Sequence, residues 1–299
     1  MENENTDFRA GYVTIIGRPN VGKSTLMNAL IGMDIAITSN KPQTTRRQMR
    51  TVLTTDDGQI VFVDTPGIHK AKNALGEYMD QAAVSSLEGV DLALFLVEPS
   101  TFIGAGEQHI IDVLSKSGIN VILVINKTDT VKPAGLLPVI AAYKDKLDFK
   151  EIVPVSARTN EGLDELLKAV FSYLPYGDPF YDEDTVTNET LRDLVTEIIR
   201  QSALRKLSDE VPHGVAVIVE SMKEKRDLWV IRADIYCERD SHKGIIIGKK
   251  GAMLKEIGSD ARRESEKLLE KKVMLDLFVK VRKDWRENKS MLKRFGYKQ

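Results

Sequence analysis

Cysteine is nearly absent: the 299-residue chain holds one, Cys237. A lone thiol cannot close an internal disulfide, and no cysteine pair has metal-ligand spacing, so a secreted disulfide scaffold and a structural zinc site are both excluded. A reducing cytosol is the expected setting. Long hydrophobic runs are missing too, since no stretch of about 18 apolar residues occurs. Met1 to Asp7 carry Glu2, Glu4 and Asp7 and no basic segment leading into an apolar one. The expectation is a chain neither exported nor membrane-spanning. The four histidines, His69, His109, His213 and His242, are scattered, which argues against a histidine-held metal. Internal repeats and low-complexity tracts are also lacking. With 42% hydrophobic and 29% charged residues, the chain reads as an ordinary folded protein.

Overall charge is small, -1, but only because two unlike parts cancel. Residues 241–299 hold 17 Lys plus Arg against 8 Asp plus Glu, whereas residues 1–240 hold 26 against 36. An acidic body with a basic end suggests a polyanion-binding module attached to something else.

From Tyr12 to Leu174 short apolar runs alternate with stretches of helical period. The candidate strands are Val13–Ile16, Ile60–Val63, Leu92–Val97, Val121–Ile125 and Ile152–Val155. Helical spacing marks Lys23–Ile31, Gly76–Glu88, Ala105–Lys116, Gly135–Lys146 and Glu161–Tyr173. Buried strands joined by crossover helices predict an α/β fold, a doubly wound and mostly parallel sheet. Two prolines and a glycine in Leu174-Pro175-Tyr176-Gly177-Asp178-Pro179, followed by Asp182-Glu183-Asp184, break the periodicity. The expected organisation is a first domain at 8–175, a linker at 176–187 and a second domain at 188–299. The second reads as helix, strand, strand, loop, helix, strand, a smaller α+β unit.

The first strand runs into Gly17-Arg18-Pro19-Asn20-Val21-Gly22-Lys23-Ser24, the pattern G-x-x-x-x-G-K-S at a strand-to-helix junction. Backbone N–H groups of Gly17, Asn20, Val21, Gly22, Lys23, Ser24 and Thr25 are expected to cradle phosphate oxygens at a helix N-terminus. Lys23 would neutralise the β- and γ-phosphates, and Ser24 would ligate Mg²⁺. Asn126-Lys127-Thr128-Asp129 follows the fourth strand. A carboxylate at Asp129 can accept from guanine N1–H and its 2-amino group; adenine offers neither donor and would leave it unpaired. Asn126 would brace the loops, the Lys127 stem would cover one face of the base, and Ser156-Ala157 would present a backbone N–H to guanine O6. Asp64-Thr65-Pro66-Gly67 ends the second strand, where Asp64 can hold Mg²⁺ through water and the Gly67 N–H can reach the γ-phosphate. Thr44 and Thr45 both lie where a threonine can close over Mg²⁺; Thr45 is favoured. Lys23, Thr45, Asp64 and Gly67 are thus the candidate catalytic groups.

These motifs, in unpermuted order, resemble the translation-factor-like class of P-loop GTPases over about 8–175. The resemblance implies GTP and GDP as ligands, Mg²⁺ as cofactor, and segments at 34–47 and 64–85 ordered by the γ-phosphate. One departure matters. Ile68 follows Gly67 where Ras-like enzymes carry the glutamine that orients the attacking water, so slow turnover, on the order of 10⁻³ s⁻¹ or below, is expected. Asn20 also resembles a subset of these GTPases that coordinate K⁺ near the phosphates; the alternative is an asparagine that only braces its loop.

In the basic end, Ile245-Ile246-Ile247-Gly248-Lys249-Lys250-Gly251 places G-K-K-G ahead of a helix. It resembles the G-x-x-G loop of a prokaryotic-type KH domain. Gly248 and Gly251 would let single-stranded RNA lie close, Lys249 and Lys250 would meet phosphate, and Ile246 and Ile247 would line the base-reading groove. Phe278 is expected in the core. Trp285, Phe295 and Tyr297 either pack or stack on bases.

One GTPase domain followed by one KH domain, at this length, closely resembles the Era-like family of bacterial GTPases. The resemblance implies a GTP-controlled factor that binds the 3′ end of 16S ribosomal RNA and assists maturation of the small ribosomal subunit. It also implies a cytoplasmic protein with peripheral inner-membrane association; a monomer is expected. A GTP-binding RNA scaffold without meaningful hydrolysis is the alternative, kept open by Ile68.

Overall fold

The computed structural model describes residues 7–33, 46, 49–64 and 73–297. Cα packing divides the chain into two compact units, with the main boundary after Asn188.

The first unit runs β1 (Arg9–Gly17), α1 (Lys23–Ile31), β2 (Met49–Thr55), β3 (Gly58–Asp64), α2 (Ala74–Ser85), β4 (Leu92–Val97), α3 (Ala105–Ser117), β5 (Asn120–Ile125), α4 (Leu136–Tyr143), β6 (Phe149–Pro154) and α5 (Leu163–Tyr173). The sheet order is β2-β3-β1-β4-β5-β6. All neighbours pair in parallel except β2, which is antiparallel to β3. The sequence dictates two covered faces: adjacent strand residues Ile15 and Ile16, Leu94 and Phe95, Ile122 and Leu123 are all fully buried, and successive side chains point to opposite sides. Ile15, Leu94 and Ile122 pack with Leu26 of α1 and Leu166 of α5. Ile16, Phe95 and Leu123 pack with Ile110 of α3 and Tyr143 of α4. The predicted doubly wound sheet is therefore present.

Strand β2 is an element the periodicity does not reveal. Its sequence, Met-Arg-Thr-Val-Leu-Thr-Thr, is largely polar because only part of an edge strand faces the core: Thr51 and Val52 are buried and their neighbours are not. Its place comes from the ladder with β3, closed by the pair Thr55 and Gly58.

The acidic, proline-bearing stretch after α5 lies along this unit. Buried Gln59 of β3 accepts from the Phe180 N–H at 2.7 Å and the Tyr181 N–H at 3.0 Å, and donates to the Tyr181 carbonyl at 2.9 Å. The Val52 N–H donates to the Val186 carbonyl at 2.8 Å, and the Thr187 hydroxyl to the Arg50 carbonyl at 2.9 Å.

The second unit runs α6 (Leu191–Lys206), β7 (Ala216–Glu224), β8 (Leu228–Cys237), α7 (Asp240–Ile247), α8 (Ala252–Leu269), β9 (Lys272–Val281) and α9 (Lys289–Arg294). Its sheet order is β7-β8-β9, antiparallel between β7 and β8 and parallel between β8 and β9. Thr190 caps α6, its hydroxyl accepting the Asp193 N–H at 3.2 Å. Val195, Ile199 and Ala203 of α6 and Ile257 and Ala261 of α8 pack on Val217, Ile231 and Ile235. Cys237 is buried in the same core, which pushes its thiol up to about 11 and leaves it unreactive.

Two expectations change here. The apolar run before G-K-K-G is the last turn of α7, a helix of eight residues, too short for its period to stand out. Phe278 is 44% exposed with the Arg232 guanidinium 4.6 Å above its ring, because β9 buries Val273 and Val279, the opposite phase of the alternation. Trp285, Phe295 and Tyr297, by contrast, are core. Trp285 is fully buried, donates from Nε1 to the Gly214 carbonyl at 2.9 Å, and meets Phe295 edge-on at 5.0 Å and Tyr297 stacked at 6.2 Å. They are not a platform for bases. Among the described residues, no helix is long and apolar enough to cross a membrane.

Candidate nucleotide site and nucleic-acid loop

Strand β1 lies between β3 and β4, so the turn leaving it opens at the carboxyl edge of the sheet where a crevice forms. Two glycines are dictated by close approach. A Cβ on Gly17 would stand 2.6 Å from the Leu96 carbonyl oxygen, and one on Gly22 would stand 2.3 Å from Asn126 Nδ2, with Gly22 at φ 101°. Gly22 is also the N-cap of α1 and brings no side-chain cap, so a ligand can take the helix's leading N–H groups.

Lys23 points back into the turn, 7% exposed, and donates to the Gly17 and Arg18 carbonyls, both at 3.1 Å. Burial lowers its pKa to about 8, partly offset by the Asp64 carboxylate. Asp64 ends β3 at 1% exposure. Ser24 is half-buried and Thr25 exposed on the first turn of α1. The predicted Thr45 and Gly67, with Thr44 and Ile68, lie outside the described residues.

Asn126, 2% exposed, ties two loops together. Its Nδ2 donates to the Val21 carbonyl at 2.9 Å and its Oδ1 accepts the Ala157 N–H at 3.1 Å. The Ser156 N–H goes to the Glu161 carbonyl at 2.9 Å. The backbone donors expected to meet guanine O6 are thus already engaged within the protein. Lys127 adopts φ 63° and donates from Nζ to the Asn20 carbonyl at 2.8 Å and to Glu98. Asp129 Oδ1 accepts from the Ser156 hydroxyl at 2.6 Å, and Oδ2 accepts from Arg158. The Ser156 hydrogen bond, with Arg158 adding to it, holds the Asp129 carboxyl below the usual carboxylate range.

Three supporting residues escape a reading of the sequence: Glu98, Arg158 and Glu107. Glu107, 3% exposed on the first turn of α3, meets Arg18 Nε at 2.7 Å and accepts the Gly104 N–H at 2.9 Å. It fastens the second residue of the phosphate turn to a distant helix, and nothing local signals that.

In the second unit, G-K-K-G joins α7 to α8. Gly248 has φ 73° and a Cβ there would lie 2.7 Å from Met253 Cβ and 2.8 Å from its nitrogen. The loop therefore turns tightly onto the start of α8. Gly251 at φ 80° caps α8 without a side-chain bond, and a Cβ there would meet open space. Lys249 and Lys250 are exposed. Ile247 is half-buried, but Ile246 is fully buried in the core. Ile246 therefore does not line the groove as expected; Ile245, 49% exposed, is the isoleucine of this run that faces out. Among the described residues no three His, Cys, Asp or Glu side chains gather as a metal site.

Fold and site together define a P-loop GTPase domain joined to a KH domain. The family model described as 50S ribosome-binding GTPase matches residues 12–127, and the KH domain model matches residues 210–286. The chain is 53% identical to GTPase Era of Geobacter metallireducens and 51% identical to GTPase Era of Ruminiclostridium cellulolyticum. Each alignment covers 97% of this chain and 98% of the relative. A crystal structure of Era in complex with MgGDPNP and nucleotides 1506–1542 of 16S ribosomal RNA superposes with a TM-score of 0.94 at 40% identity, covering 98% of this chain and all of that one. A single-substitution variant of Aquifex aeolicus Era, bound to GDP and AlF4⁻, matches equally well. The chain belongs to the Era family of GTPases.

Proposed function

We propose that this protein is a GTP-controlled RNA-binding switch. It binds GTP with Mg²⁺, hydrolyses it slowly to GDP, engages the 3′ end of 16S ribosomal RNA through its KH loop, and so assists assembly of the small ribosomal subunit. The observation that carries this is the full-length likeness, at a TM-score of 0.94, to an Era crystallised with both MgGDPNP and that RNA segment. The work divides along the chain: 8–175 handles nucleotide, 176–187 is the linker, and 188–299 handles RNA.

The residues fit these ligands. Asp129, with Asn126 bracing its loop, presents a carboxylate to the donor edge of guanine. Gly17 to Thr25 offer N–H groups and the Lys23 ammonium to the phosphates. Ser24 and Asp64, with Thr45, are the hard oxygen donors that suit Mg²⁺, and the Asp64 carboxylate at the end of β3 is near enough to favour the charged form of Lys23. Mg²⁺ there neutralises charge on the β- and γ-phosphate oxygens. Asn20, at φ 68°, lies in the phosphate turn where K⁺ would add positive charge. Ile68 offers no polar group to orient water, which sets the slow rate. Lys249 and Lys250 meet RNA phosphate, and Ile245 and Ile247 border the groove. Cytoplasmic localisation with peripheral inner-membrane association is carried over from the family resemblance.

The test pairs single-turnover GTP hydrolysis in KCl and NaCl with fluorescence anisotropy on an oligonucleotide from the 16S 3′ end, under GDP or a non-hydrolysable GTP analogue. Slow hydrolysis and severalfold tighter RNA binding with the analogue are expected. Equal RNA affinity in both states would break the switch, absent hydrolysis would reduce the protein to a GTP-binding scaffold, and equal rates in the two salts would remove K⁺.

A further inference from the structure

The guanine-reading carboxylate is held by two protein donors. The side chain of Asp129 is 11% exposed; its Oδ1 accepts from the Ser156 hydroxyl at 2.6 Å and its Oδ2 from Arg158 Nη2. Arg158 is 75% exposed along its side chain, so its guanidinium reaches onto the carboxylate from the solvent side. Guanine recognises such a carboxylate through two parallel donors, N1–H and the 2-amino group, a planar fork. A guanidinium is a planar donor group too, with a full positive charge, and here one of its nitrogens, Nη2, takes Oδ2. The two cannot hold the same oxygen in the same direction at once.

We propose that Arg158 is a specificity-determining residue that competes with the guanine base for Asp129. This deepens the guanine-nucleotide reading above and rests on it. When guanine docks, Arg158 must leave Oδ2. When guanine departs, Arg158 recaptures the carboxylate and keeps a mostly buried charge from standing unpaired. Affinity for guanine nucleotides is set by the difference between the two partners rather than by the base contact alone. Exchange of one ionic partner for the other also eases release, which suits a switch that must shed GDP.

A bracing role for Arg158 makes the opposite prediction. If Arg158 only steadied the loop carrying Ser156 and Ala157, removing it would loosen the site and weaken binding. If it competes, removing it tightens binding. An exposed ion pair with one partly desolvated member sets the scale, a gain of about two- to fivefold in GDP affinity for Arg158→Ala. Arg158→Gln keeps reach and hydrogen bonding without charge and falls between. The gain is largest at low ionic strength and fades toward about 1 M salt, where the screening length is roughly 3 Å.

The experiment is isothermal titration of the full chain with Mg-GDP and Mg-ADP, for wild type, Arg158→Ala and Arg158→Gln, at low and at high salt, with melting temperatures taken alongside. Tighter GDP binding in Arg158→Ala, a smaller gain in Arg158→Gln, and loss of the gain at high salt support competition. Unchanged or weaker GDP binding in a variant that melts like wild type overturns it. Wild-type protein that binds neither nucleotide, or binds ADP as well as GDP, defeats the guanine reading itself, a different failure from a wild type that selects GDP while Arg158→Ala gains nothing.

Discussion

Two glycine-bounded turns lead into helices in this chain, and they treat their lysines in opposite ways. In Gly17–Ser24 the lysine is folded into the turn at 7% exposure, donates to two backbone carbonyls, and has lost enough hydration for its pKa to fall to about 8. In Gly248–Gly251 both lysines stand in water on a loop tightened against Met253. Backbone logic is shared: a positive-φ glycine at the helix N-cap frees the leading N–H groups. The side-chain logic differs with the ligand. Under the proposed function, a compact triphosphate would be gripped by a desolvated charge that acts strongly over a short distance. A flexible polynucleotide would be met by solvated charges that tolerate many arrangements and act largely through counterion release.

The sharpest way to break this contrast is Lys23→Ala. Removing a charged partner from a buried phosphate site costs about 3–5 kcal/mol, a loss of GDP affinity of roughly 10² to 4 × 10³, while RNA affinity without nucleotide should be unchanged. A loss of less than tenfold by titration calorimetry would mean that the buried lysine does not carry the grip.

A pH series tests the desolvation directly. The folded pKa of Lys23, about 8, is below its ordinary 10.5, so the unfolded chain holds more protons between those values. Without nucleotide, stability therefore rises with pH through that window. Phosphate favours the charged form, so binding takes up a proton above pH 8, and GDP affinity falls by up to about tenfold per pH unit there. Calorimetry at pH 9 in two buffers of different ionisation enthalpy should register the uptake; no buffer dependence would show that Lys23 stays charged in both states.

The smallest effect belongs to the open loop. Lys249→Ala with Lys250→Ala should leave folding and GDP binding intact and lower the slope of log affinity for single-stranded RNA against log salt by about 1.4, near 0.7 for each lost phosphate contact. An unchanged slope would place the phosphate contacts elsewhere on the basic end. This pair is a cleaner probe than substituting Gly248, where a new side chain would collide with Met253.

What can be read from the sequence follows the range of each signal. Leu92–Val97 and Lys23–Ile31 have the same bounds in sequence and in structure, since a continuous apolar run and a glycine-led helical period are local patterns. Strand β2 and helix α7 escape, the one because an edge strand buries so little, the other because eight residues make barely two turns. Phe278 and Ile246 change faces for a related reason. In β9 every odd position from Val273 to Val281 is apolar while Lys272, Asp276 and Lys280 share the even face with Phe278, so the phase that exposes Phe278 is written in the whole alternation and is missed when that ring is judged alone; in α7 three successive isoleucines give no contrast to tell which one is buried.

The sequence by itself determined most of the sheet-and-helix plan, the phosphate turn, the Asn-Lys-Thr-Asp loop and the G-K-K-G loop. Each rests on neighbouring residues whose backbone freedom, period or donor pattern is fixed within a few positions. Only the tertiary structure decided that Glu98 holds Lys127, that Arg158 holds Asp129, each pair 29 residues apart, and that Trp285 closes a core instead of facing RNA. An ion pair or a buried ring depends on where two distant segments come to lie, and that is settled by the packing of the whole sheet rather than by the residues on either side.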